Sequence, residues 1–427
     1  MTPQRKSGPG TSAATSLVVA NMVGTGVFVS LGFQLLDFSS APPILLLWLT
    51  GGIIAMCGAL SYAGLARCMP RSGGEYHFLG TVYHPSLGFM AGLMSAIFGF
   101  SVPTAITALA VGGYLHEASN FIDARIAALV VILLSAAAHG VSTRTSGRVQ
   151  LFSTLLKLSL ILLFIASALF LPGKGDIRWA IHPAEDFAQI AKPAFATAVF
   201  YVFYSYSGWN AAVYGLEEWR QPGVTVKRAL VGGTLLVMGL YLALNIAFLL
   251  AAPVAKLRGE QEIAHVAAAA LYGEQTGRIV SGLFAIGLFA SVSALLWAGP
   301  RVLAAMGRDV SAMRFFANKS EVPLVPLVFQ SLLAILLVLA GDFKFLISYT
   351  QTGLTLCTML SVSGLIFLKL RGQKIPATTI APALIFVGFT GFVMARLFFA
   401  EPVPAGYGIA TALACLLLWF PVKRLSI

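Results

Sequence analysis

Ala20-Asn21-Met22-Val23-Gly24-Thr25-Gly26-Val27-Phe28 lies in the middle of the first long apolar segment of this 427-residue chain. Two glycines and a threonine are poor helix material there. Gly costs about 1 kcal/mol relative to Ala in a helix interior, and Gly-Thr-Gly leaves the backbone free to depart from helical dihedrals. In a bilayer, non-helical backbone survives only where it is buried in protein or lines a water-filled cavity. Either these glycines let a second helix approach closely, or they mark a break whose bare N–H groups face a ligand.

Composition sets the class. The chain is 58% hydrophobic and 10% charged, with a mean hydropathy of +0.86. A soluble domain carries about 25% charge, so an all-α integral membrane protein in a lipid bilayer is expected. The apolar run that begins near residue 13 is too long for a secretory h-region of about 7–15 residues. Cys57, Cys68, Cys357 and Cys415 have neither metal-site nor redox-pair spacing and read as reduced packing residues. His77, His84, His116, His139, His182 and His265 are scattered over loops and segment ends. No enzyme, metal or cofactor constellation emerges.

Apolar stretches near the ~20 residues needed to span a bilayer fall at 13–36, 43–67, 86–115, 121–140, 149–171, 191–216, 229–252, 278–303, 324–340, 343–368, 377–398 and 403–422. That predicts twelve spans with both termini on one side. With the termini inside, eighteen basic residues, among them Arg5, Lys6, Arg144, Arg148, Arg301 and Lys319, fall on the inner side. Nine fall outside, and Lys157 lies within a span. The positive-inside rule therefore makes the termini cytoplasmic, residues 1–12 being an inner tail, and the expected location is the cell (inner) membrane. The net charge of +12 follows from the same inner loops and anionic inner-leaflet lipid, so no nucleic-acid partner is inferred.

Three further stretches matter. Met69 to Pro85, containing Pro70-Arg71-Ser72-Gly73-Gly74-Glu75-Tyr76-His77-Phe78, is too polar to cross and predicts a short helix along the membrane surface. Glu75, His77 and His84 read there as interfacial residues. Lys157 stands about two and a half turns into the fifth apolar segment. A mid-membrane lysine costs on the order of 3 kcal/mol and faces the bundle interior or a cavity, unless it snorkels to the interface. The sixth segment carries Phe203-Tyr204-Ser205-Tyr206-Ser207-Gly208-Trp209-Asn210, then Glu217-Glu218 and Pro222. The interruptions in segments one and six open two five-span blocks, 13–171 and 191–370. An odd number of spans inverts the second block against the first, and paired interruptions of this kind point to a transporter's binding site. Broken helix ends offer N–H groups to an anion and C=O groups to a cation, which together suit an amino acid zwitterion.

Asn21-Met22-Val23-Gly24-Thr25-Gly26-Val27-Phe28 resembles the glycine-rich first-helix motif of the amino acid–polyamine–organocation (APC) transporters. Tyr204-Ser205-Tyr206-Ser207-Gly208-Trp209-Asn210 through Pro222 resembles their sixth-helix motif, most of all that of the L-type amino acid transporter branch. Arg301 through Gly307-Arg308-Asp309, and Leu370-Arg371 through Pro376, are similar to the inner loops after helices eight and ten. The resemblance implies a LeuT-like 5+5 inverted repeat followed by two C-terminal helices, here 377–422. By the same resemblance, the amides of Gly24, Thr25 and Gly26 hold the substrate carboxylate. Carbonyls near Met22, Val23, Tyr204 and Ser207 take the α-ammonium, with Asn21 and Ser205 in the two motifs. Tyr204 closes over the substrate, Ser207, Gly208 and Asn210 border its side chain, and Lys157 fills the place of a sodium site. Sodium-independent amino acid transport follows, by exchange or with protons as coupling ion.

Ser293-Ala294 departs from the Asn-Gly common in the eighth helix of the L-type branch, and Tyr204 and Ser207 depart from its sixth-helix pattern. No Asp or Glu lies deep in a span, and Lys157 is the one deep basic residue. An unpaired buried charge is costly, so a neutral amino acid is favoured over a polyamine or another organocation. Trp297, Phe100 and Pro103 are candidates to shape the pocket. Glu217 and Glu218, with Lys227 and Arg228 nearby, read as an inner gate or loop ion pairs. A channel would show a ring of charges or carbonyls. A transporter-like amino acid sensor is the other alternative, for which an added soluble domain is expected.

Overall fold

The computed structural model describes residues 10–119, 121–141, 143–317 and 323–425, and for 141–154 and 425 the backbone alone. Arg5, Lys6 and Lys319 lie outside the described residues, as do the side chains of Arg144 and Arg148.

The described residues form helices joined by turns. In the first half these are α1 (Thr11–Met22), α2 (Gly26–Asp37), α3 (Ala41–Cys68), α4 (Glu75–Val82), α5 (Pro85–Met94), α6 (Val102–Ser119), α7 (Ala124–Val141) and α8 (Thr143–Phe170). Then come α9 (Pro183–Ile190), α10 (Pro193–Tyr206), α11 (Pro222–Ala251), α12 (Val254–Leu257), α13 (Ile263–Tyr272) and α14 (Glu274–Asp309). The last are α15 (Leu324–Ala340), α16 (Phe343–Leu370), α17 (Ala377–Ala400), α18 (Pro402–Leu417) and α19 (Trp419–Leu425). Proline in the first turn starts α3, α5, α9, α10, α11 and α18. Its missing N–H costs nothing where no intrahelical acceptor exists. A π-helical segment, Ser95–Ser101, joins α5 to α6. Such widened turns recur at functional sites, and this one brings Gly99 and Phe100 to the central cavity described below.

Each apolar stretch of the sequence is largely helical, the first and sixth with a break. Among the described residues, seven helical segments are long and apolar enough to cross a membrane, or eight when α1 and α2, bent by 41° at their break, count as one. The apolar parts of α7, α10 and α15 are shorter than the ~20 residues a perpendicular span needs. Leu133, Leu134, Leu162, Leu163, Leu332 and Leu336 are all more than half exposed. Exposed apolar surface on that scale suits lipid rather than water.

Two expectations change. The sixth stretch is helical only to Tyr206. It continues as 3-10 turns at Ala211–Val213 and Leu216–Glu218, because Ser207, Gly208 and Gly215 do not sustain an α-helix. The segment after Met69 forms the short helix α4, with one face packed into the protein. Phe78, Leu79 and Val82 are buried, with α5 and α16 packed against it, and Glu75 is buried too, whereas His84 is exposed and caps α5. Glu75 is therefore not interfacial: its carboxylate hydrogen-bonds inside the protein.

Cys57, Cys357 and Cys415 are buried and Cys68 is exposed. Maleimide treatment of the folded protein in detergent is expected to modify one thiol, at Cys68, and all four after denaturation. Intact-mass measurement reads both numbers.

Candidate functional site

The first break begins where α1 ends. Val23 leaves the helix at ψ 84°, and its amide still donates to Val19 O at 2.9 Å. Gly24 N turns back onto Met22 O at 2.8 Å, and α2 resumes at Gly26. A helix beginning there leaves its first amides without intrahelical acceptors. The second break follows Tyr206. Ser207 is extended (ψ 151°), its amide and hydroxyl both donate to Tyr204 O, and Gly208 takes φ +98°.

The breaks face each other through two glycines. A Cβ on Gly26 would sit 2.5 Å from Ser205 Cα, and one on Gly208 would sit 2.7 Å from Asn21 O. Gly208 thus needs glycine twice over, for its positive φ and for its neighbour. The Tyr241 hydroxyl of α11 bridges the pair, 2.6 Å from Met22 O and 2.9 Å from Ser205 O.

Lys157 does not snorkel. It is 2% exposed, and its Nζ donates to Val23 O and, at 3.0 Å, to Ser291 Oγ of α14. The amine thus lies at the C-terminal end of α1, where the helix dipole is negative.

A cavity of about 1260 Å³ opens between the breaks. Asn21, Met22, Gly24, Thr25, Gly26, Tyr204, Ser205, Ser207, Gly208 and Asn210 all line it, as do Phe100, Pro103, Ala294 and Trp297. Val23 and Lys157 do not line it. Val23 is fully buried with its carbonyl turned to Lys157, so it is not positioned to touch a substrate in the cavity. The Thr25 and Tyr204 hydroxyls stand 3.5 Å apart at the cavity wall. Arg71, His77, Glu217, Arg301, Arg308 and Asp309 also line it. Burial, reinforced by Arg71, lowers the His77 imidazole pKa, so it is neutral at pH 7. Burial, reinforced by Asp309, pushes the Tyr76 phenol up to about 12.

Among the described residues, no ion pair joins Glu217 or Glu218 to Lys227 or Arg228. Instead Glu217 N donates to Ser72 Oγ at 3.0 Å. Sequence reasoning missed Tyr241, Ser291 and Glu75, each an ordinary residue at its own position. It also missed His139, whose Nε2 lies 2.8 Å from Ser293 Oγ.

Gly208→Ala is expected to cost about 1–3 kcal/mol of stability from backbone strain and to push the two breaks apart. Thermal unfolding in detergent should show a lowered midpoint, whereas Gly232→Ala, inside α11 with nothing within 4 Å of the added Cβ, should not lower it.

The profile of the amino acid permease family matches residues 10–421. Large neutral amino acids transporter small subunit 2 of Mus musculus is 26% identical over 430 residues, covering 96% of this chain and 80% of its own length. The protein of the same name from Homo sapiens is also 26% identical, with 96% and 79% covered. The b(0,+)-type amino acid transporter 1 of Homo sapiens is 25% identical over 395 residues, with 89% and 80% covered.

Proposed function

The chain belongs to the amino acid permease family, and we propose that it carries neutral amino acids by alternating access, without sodium, binding the zwitterion between its two helix breaks. One observation carries the reading: a single cavity runs from both breaks to the charged residues of the 71–77 and 301–309 segments.

The twelve spans are α1 with α2, α3, α5 with α6, α7, α8, α10 with its 3-10 turns, α11, α14, α15, α16, α17, and α18 with α19. Residues 13–171 and 191–370 form the inverted repeats, and 377–422 add the last two helices. The shorter helices cross where the bilayer thins locally and flanking residues snorkel to its surface. The basic segments that line the cavity then lie in the cytoplasm, so the cavity faces inward, with Thr25 and Tyr204 closing the outer side.

In this pose the substrate carboxylate meets the amides of Thr25 and Gly26 at the start of α2, where the dipole favours an anion. Gly24 serves the turn instead, because its N–H is already given to Met22 O. The ammonium faces the carbonyl-rich end of the second break and Asn210. The charged cavity residues gather at the mouth, so a neutral side chain fits among Phe100, Pro103 and Ala294. The names of the relatives, which cite large neutral amino acids and amino acids, support this choice. Lys157 places its amine at the end of α1, where a sodium ion would otherwise be needed, either as a fixed charge in an exchanger or as a group that gives up its proton in a symporter.

In liposomes, a labelled neutral amino acid is expected to enter without sodium. Preloading with unlabelled substrate and imposing an inward proton gradient distinguish exchange from proton symport. No uptake by folded protein under any of these conditions would sink the assignment. Lys157→Met should lower uptake about tenfold or more, since Val23 O and Ser291 Oγ lose their buried partner, and added sodium should not restore it.

A further inference from the structure

The Arg71-Ser72-Gly73-Gly74-Glu75 turn is docked onto the second break. Ser72 Oγ accepts from Glu217 N at 3.0 Å, and Gly73 N donates to Tyr214 O at 3.2 Å. Gly74 takes φ +54°, and a Cβ there would lie 2.6 Å from the Tyr214 ring, so glycine permits the approach. Glu75 Oε1 then accepts from Asn210 Nδ2 at 2.6 Å and from the Tyr62 hydroxyl at 2.7 Å.

Glu75 is 2% exposed, and its second oxygen, Oε2, is buried without a hydrogen-bond partner. Among the described residues, no lysine or arginine pairs with it. It does not line the cavity; Asn210 does. Glu75 Oε1 accepts from the NH2 end of the Asn210 amide. That choice fixes a side chain whose two ends are otherwise interchangeable in shape. The carbonyl Oδ1 is left as the atom Asn210 can offer elsewhere.

We propose that Glu75 is a positioning residue, holding the Asn210 amide so that Oδ1 is presented to the cavity as an acceptor for the substrate's N–H donors. With Ser72 and Gly73 it also makes the 71–75 turn move with residues 207–217 as one unit. The first half of this inference rests on the cavity being the amino acid site; the second half does not.

Glu75→Gln keeps the size and can still bond Asn210, but its amide also donates, so the pair can invert. The KM for a neutral amino acid is expected to rise about 5-fold, the worth of one orienting hydrogen bond, with kcat within about twofold. Asn210→Ala should raise KM similarly, and the double variant should be no worse than Asn210→Ala alone. Hydrogen exchange of residues 207–217 in the purified protein, measured without substrate, should be faster in Glu75→Gln than in wild type. A wild type that takes up no amino acid overturns the substrate reading and the role given to Oδ1, while the exchange measurement still decides the docked unit. Unchanged exchange in Glu75→Gln overturns that unit. An unchanged KM, or KM effects that multiply in the double variant, overturns the positioning of Asn210.

Discussion

The structure depends on satisfying backbone groups that two helix breaks release into an apolar interior. An unpaired amide or carbonyl there costs several kcal/mol, and water is not at hand to help. Four of the carbonyls around the breaks have acquired a partner, three of them from another helix. Val23 O has Lys157 from α8, Met22 O and Ser205 O share Tyr241 from α11, and Tyr204 O has its own neighbour Ser207. The positions of α8, α11 and α14 around the breaks follow from these bonds as much as from packing. Gly26 and Gly208 supply the remaining condition, since any side chain there would hold the breaks apart. The groups left over, the amides at the start of α2 and the Asn210 side chain, are the ones at the cavity wall.

The two breaks are not equivalent. After the first, Gly26-Val27-Phe28-Val29 resumes a regular helix, and α2 needs little outside help. After the second, the backbone passes through two 3-10 turns and a left-handed Gln221 before α11 begins. Short 3-10 turns carry poor hydrogen-bond geometry, so residues 207–221 hold their shape through tertiary contacts: Trp209 edge-on to Tyr62 at 4.8 Å, Trp219 Nε1 on Ala212 O, and the Ser72–Glu75 turn. A segment held by contacts rather than by its own helix opens at lower cost. Its residues Ser207 to Ala211, Tyr214, Gly215 and Glu217 to Trp219 line the cavity.

Helix positions were legible because hydropathy alone determines them: Leu324–Ala340 starts and stops where its apolar run does. The two interruptions were legible because Gly24-Thr25-Gly26 and Ser207-Gly208 break local helix propensity, a signal confined to a few adjacent residues. What could not be read were contacts between distant positions. Glu75 and Asn210 are 135 residues apart, and Tyr241 and Met22 are 219 apart. No local pattern marks Tyr241, one of several tyrosines in apolar helices, as the bridge between the breaks. Glu75 was misplaced for a related reason: a polar turn suggests an interface, and only tertiary packing shows that α5 and α16 cover it. Val23 was taken with its neighbours as a lining residue, but the turn at the end of α1 directs its carbonyl away from the cavity.

Charge placement around the breaks has a consequence for selectivity. The C-terminal end of α1 carries the negative pole of its dipole and the N-terminal end of α2 the positive pole, within three residues of each other. Lys157 neutralises the first pole from behind, outside the cavity. The second pole stays open at the cavity wall, so the first break presents a net preference for an anion. A free cation gains nothing there, which counts against a polyamine. The complementary acceptors come from the other break, where Glu75 draws the NH2 end of Asn210 to itself. A ligand that satisfies both walls carries a carboxylate at one end and N–H donors a few ångströms away, and its remaining part meets Phe100, Pro103 and Ala294. The backbone of an α-amino acid meets that description, and the walls place no charge opposite its side chain.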